Sequence, residues 1–99
     1  MPALRLAAAT AALSAALGTG IPAVAATCAE QTVSARGEPS RFELLAKAKA
    51  RGNWRAKVRA MPTLGAAYAD WSKAWATHYR CSRKEGRHVC TAVAHPCRD

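Results

Sequence analysis

Ninety-nine residues make one domain at most, and 15 basic against 6 acidic side chains give a formal charge of +9. That length leaves little room for an enclosed catalytic cleft. The charge favours anionic partners such as nucleic acid, acidic polysaccharide, lipid headgroups or an acidic protein, although it also keeps a small protein dispersed.

The first 26 residues differ from the rest. Arg5 is their only charged residue, a run of Ala and Leu follows from Leu6 to Leu17, and Gly18, Gly20 and Pro22 precede Ala23-Val24-Ala25-Ala26. A positive start, an apolar middle and small residues at A-x-A spacing predict a secretory signal peptide over 1–26, cleaved after Ala25 or Ala26. The run is shorter than the ~20 residues a spanning helix needs, which weighs against a membrane anchor. Cys28 raises a lipoprotein reading. Thr27, however, stands where such signals carry Gly, Ala or Ser, and lipidation would leave three cysteines, an odd number in an oxidising compartment.

Cleavage leaves 27–99 as a single small domain, periplasmic or secreted. It holds every acidic residue and all four cysteines, Cys28, Cys81, Cys90 and Cys97. Exported domains below roughly 80 residues commonly supplement a thin core with disulfides, so two are expected.

Thr32-Val33-Ser34-Ala35 reads as a short strand closed by Gly37 and Pro39. Ser40 followed by Glu43 has the spacing of a capping box, which opens a long helix ending by Met61, since Pro62 disfavours helical geometry before it. On this helix Phe42, Ala46, Ala50, Trp54 and Val58 form an apolar column continued by Met61. Lys47, Arg51, Arg55 and Arg59 form a basic column beside it, with Lys49 and Lys57 elsewhere. A run of small residues, Leu45, Ala48, Gly52 and Ala56, offers a smooth face for close packing.

After the turn at Pro62–Gly65, a second short helix is expected from Gly65 to Trp75 or Thr77, with Leu64, Tyr68, Trp71 and Trp75 at helical spacing. Tyr68 and Trp71 read as core; for Trp75 periodicity does not decide. Tyr79–Lys84 and Arg87–Ala94 read as a hairpin turning at Glu85-Gly86. In that register Cys81 faces Cys90, within disulfide reach, and Cys28 would bridge to Cys97. The rival pairing is Cys81–Cys97 with Cys28–Cys90. The fold expected is α+β: a short strand, a long helix, a short helix and a C-terminal β-hairpin covering the helices, stapled by disulfides.

The sequence contains no Gly-rich phosphate loop, nucleophile elbow, HExxH or paired carboxylates, so no enzymatic reaction is expected, and no cofactor. His88-Val89-Cys90 and His95-Pro96-Cys97 repeat an H-x-C pattern of metal-ligand types, but oxidised cysteines could not serve, so no metal is assigned. What remains is charge. Lys47, Arg51, Arg55 and Arg59, together with Arg83, Lys84 and Arg87 near the hairpin, are the candidate anion-binding residues; Arg80 belongs to the same basic cluster but is not among them. The expected partner is an anionic polymer or envelope surface. The alternative is a structural or inhibitory role toward another exported protein, through the hairpin.

The segments SARGEPSRFE at 34–43, AKARGNWRAKVRA at 48–60 and YADWSKA at 68–74 stand out. With Cys81, Cys90-Thr91-Ala92 and Pro96-Cys97-Arg98, they make the mature chain resemble a group of small exported bacterial proteins. The resemblance implies a signal peptide and a compact cysteine-stapled domain. It carries no activity, ligand or catalytic residue.

Overall fold

The computed structural model describes residues 27–99, so the expected signal peptide over 1–26 lies outside the described residues. The chain forms strands β1 (Thr27–Cys28) and β2 (Val33–Arg36), helix α1 (Glu43–Arg59), two single 3-10 turns, and strands β3 (Trp75–Lys84), β4 (Arg87–His95) and β5 (Cys97–Arg98). This is the α+β class. The hairpin β3–β4 is joined by β2 into a three-stranded antiparallel sheet of order β2-β4-β3, while β1 pairs with β5 in a separate two-stranded ladder.

Helix α1 packs chiefly on β2 and β4, and reaches β3 through side chains at Tyr79. Ala46, Ala50, Trp54 and Val58 are fully buried against Val33 and Ala35 of β2 and Cys90, Ala92 and Ala94 of β4. Most of these are small, so the helix can lie close to the sheet and Trp54 supplies much of the apolar area. Its Nε1–H donates to the Val33 carbonyl at 3.0 Å, which satisfies the one polar atom the ring takes inside. Around this seam Asn53 donates to the Arg36 carbonyl at 2.9 Å and Lys57 to the Ser34 carbonyl at 2.7 Å. Helix side chains thus occupy acceptors on the outer edge of β2, where no further strand pairs among the described residues.

The approach is closest at Gly37. A Cβ there would stand 2.5 Å from the Ala50 nitrogen and 2.9 Å from its Cα. Backbone cannot swing aside, so Gly37→Ala should lower the unfolding free energy by about 2–3 kcal/mol, measured by urea denaturation. At Gly52 a Cβ would meet nothing within 4 Å, so the close packing expected of the small-residue run does not occur there. Gly52→Ala should stabilise by about 1 kcal/mol through helix propensity. A Gly37→Ala protein as stable as its parent would contradict the contact.

Two features of the helix start differ from expectation. Ser40 does not cap it: Phe42 is the N-cap residue, with no side-chain cap bond. Ser40 instead forms a two-way backbone bridge with His88, at 2.9 and 2.7 Å, which holds residue 40 in the sheet and delays the helix by two residues. Its hydroxyl accepts from the Phe42 N–H at 3.3 Å. As a result Phe42 leaves the apolar column and stands exposed.

The expected second helix is replaced by 3-10 turns at Ala66–Tyr68 and Trp71–Lys73, and Trp75 opens β3. Gly65, the residue before the first turn, adopts φ 76°, which keeps it out of helical geometry. Asp70 then caps the start of the second turn, accepting from the Ser72 N–H at 3.0 Å and hydroxyl at 2.7 Å. Those bonds, hydroxyl first, hold the Asp70 carboxyl below its ordinary range, with Lys73 and Arg55 assisting. A lowered folded-state pKa contributes stability at neutral pH that fades as acidification passes through it.

The hairpin loop is Glu85-Gly86, with φ of 52° and 77°, the positive values a two-residue turn of matching twist requires. Cys81 faces Cys90 across it and the two are joined, their Cα atoms 4.0 Å apart. Cys28 is joined to Cys97, also its direct cross-strand partner.

Candidate anion-binding site

Along the helix, the basic column faces β3, and much of it is occupied in building the fold. Trp54 meets Trp71 edge-on at 5.0 Å, and Trp71 meets Tyr79 at 5.4 Å, so an aromatic chain runs from the core to the surface beside α1. Arg51 donates to the Tyr79 hydroxyl at 2.9 Å. Lys47 stands 5.6 Å above the Tyr79 ring and 3.6 Å from Glu43. Arg55 lies where its charge acts on Asp70. Arg59 is exposed in the last helical turn, where a cation complements the dipole.

The sheet has a different balance. Side chains alternate between faces, and Cys90, Ala92 and Ala94 point to the helix, so Arg87, Val89, Thr91, Val93 and His95 point to the open face. Register then places Ser34 and Arg36 of β2, and His78, Arg80, Ser82 and Lys84 of β3, on that same open face. Arg83 falls on the helix side. Thr91 pairs with Arg36 on one side and Arg80 on the other, so two arginines flank one central hydroxyl. Their Cα atoms are about 10 Å apart, two strand spacings, within reach of a single oxyanion for two guanidinium arms. Arg36, Arg80, Ser82, Val89 and Thr91 line an open depression of about 270 Å³ here.

Among the described residues, ion pairs within 4.0 Å involve only two cations: Lys47 with Glu43, and Lys73 with Asp70 and Asp99. Arg36, Arg80, Lys84 and Arg87 have no carboxylate partner. The predicted residues therefore separate. Lys47, Arg51, Arg55 and Arg59, with Arg83, lie on the helix side; Lys84 and Arg87 lie on the open face. Sequence reasoning left Arg80 out of the site and missed Arg36. Its alternation with Ser34 marks a shared face, but only the pairing of β2 with β4 brings it to Arg80.

The aromatic column divides likewise. Tyr68 and Trp71 pack on the core, whereas Trp75 is 63 % exposed, its ring 5.1 Å from His95. His95 is also held by Ala29 and Thr32. All four cysteines are in disulfides, and among the described residues no group of three or more His, Cys, Asp or Glu is placed to hold a metal. Among those residues no helix is long and apolar enough to cross a membrane. No family model, curated protein or solved structure matches the chain.

Proposed function

We propose that this is a non-enzymatic exported protein that binds an anionic polymer, with the open sheet face as its principal surface. One observation carries the reading: Arg36 and Arg80 flank Thr91 with Lys84 and Arg87 beyond, and among the described residues none of the four has a carboxylate partner. Like charges held together without counter-charge in the fold attract anions from outside it. Guanidinium groups bind sulfate, phosphate and carboxylate through paired N–H donors, and the Thr91 and Ser82 hydroxyls add donors between them. Export is supported by the signal-like 1–26 segment and by two disulfides, which persist in oxidising compartments.

The helix column is the weaker candidate because Lys47 and Arg51 already serve Tyr79. Heparin chromatography separates the two. Arg36→Glu/Arg80→Glu should bind about tenfold or more weakly and elute at lower salt than the parent. Arg51→Glu/Arg55→Glu should shift elution less. The reverse order would reassign the surface to the helix.

A protein partner at the hairpin has one favourable feature, the ten-residue edge strand β3. Arg80, Arg83 and Lys84 along it are residues that discourage strand addition, which favours the anion reading.

A further inference from the structure

We infer that one pole of the molecule docks on an anionic lipid surface, an interaction distinct from polymer binding on the open sheet face. Helix α1 runs back along β2: Asn53 reaches Arg36 and Lys57 reaches Ser34. The helix start and the hairpin turn therefore lie at the same end, joined by the Ser40–His88 bridge. Glu43, Ser82, Arg83 and His88 line one depression there, which places the first helical turn directly beside the hairpin tip.

Three large apolar side chains stand exposed at this end: Phe42 at 66 %, Leu44 at 79 % and Leu45 at 47 %. In a domain whose core is built largely from alanine, leaving the only Phe and two Leu in water is costly unless something covers them. The charge around them identifies the cover. Arg41 adjoins Phe42, and Arg83, Lys84 and Arg87 surround the turn. The acids present are Glu43, already 3.6 Å from Lys47, and Glu85. An apolar tip ringed by cations matches a bilayer interface, where acyl chains take the former and anionic headgroups the latter. The uncapped helix start adds its positive dipole end toward the same headgroups. A second copy docking here would oppose two sets of these cations, so the lipid surface is the better match.

The test is vesicle co-sedimentation of the protein recovered from its native compartment. Phosphatidylcholine vesicles with and without phosphatidylglycerol are compared, and light scattering runs in parallel. The protein should bind the anionic vesicles only. Phe42→Ser/Leu44→Ser/Leu45→Ser and Arg41→Glu/Arg83→Glu, neither touching the polymer surface, should each weaken binding about tenfold or more. Arg36→Glu/Arg80→Glu should leave it nearly unchanged, so failure here is distinguishable from failure of the polymer reading. Leu44→Ser alone, at the most exposed position, should weaken binding with no change in melting temperature. No binding to anionic vesicles, or binding insensitive to the apolar substitutions, would overturn the inference. So would a parental dimer that the triple variant dissociates.

Discussion

Trp54→Ala should lower the unfolding free energy by about 4 kcal/mol, the upper range for removing a large aromatic from a core, and a domain of this size would be largely unfolded by it. The ring is fully buried and is the largest side chain between α1 and the sheet. Its neighbours Ala46, Ala50, Ala92 and Ala94 are too short to collapse into the space left behind. Trp71 would lose its edge-on partner, and the Val33 carbonyl its donor. Trp54→Phe separates these contributions. It keeps an aromatic ring but removes the Nε1–H, so about 1–2 kcal/mol should be lost. Thermal and urea melts of both variants measure the split. A Trp54→Ala protein that folds with near-parental stability would mean that the seam is not the core.

Replacing Cys28 and Cys97 by Ser should cost about 4 kcal/mol, against about 3 kcal/mol for replacing Cys81 and Cys90, because the first bridge spans 69 residues of sequence and the second 9. The mechanism is the freedom returned to the unfolded chain, which grows with the loop released. There is a local difference as well. The ladder of β1 with β5 is only two residues long on each side, so little strand pairing backs the disulfide there. The β3–β4 hairpin has eight paired positions and a well-formed turn and would persist without its bridge. Chemical denaturation of the two double variants, with their free thiols counted, gives the comparison. The opposite order of stabilities would contradict the account.

The long helix was readable because its signals are local. Ala46, Ala50, Trp54 and Val58 recur every four residues, and Pro62 limits how far the pattern can run. The hairpin was readable for a similar reason: Glu85-Gly86 divides two alternating runs, and a two-residue loop fixes which residues face each other. The 66–73 region was misread because aromatic residues at helical spacing occur in helices and in irregular segments packed on a core alike. Gly65 and Asp70 carried the contrary signal, one by its left-handed φ and the other by its side-chain bonds to Ser72.

Phe42 and Ser40 fail for a non-local reason. The two-way bridge from Ser40 to His88 joins residues 48 apart in sequence, and no local pattern announces it. Once it forms, the helix must start beyond it, and Phe42 is left outside. The site shows the same limit. Lys84 and Arg87 could be grouped from the hairpin alone, but the company they keep could not. Arg36 joins them through β2, whose pairing with β4 spans most of the described chain. The helix column was legible as a pattern. Its engagement with Tyr79 was not, since that depends on where β3 passes the helix.

Backbone amide shifts during titration with a short sulfated oligosaccharide would map the anion contact surface residue by residue. Saturable shifts should centre on Arg36, Arg80, Ser82 and Thr91 and extend to Lys84 and Arg87, with the 47–59 helix flank little affected. Shifts confined to Lys47, Arg51, Arg55 and Arg59, or none at any concentration, would contradict anion binding on the open sheet face.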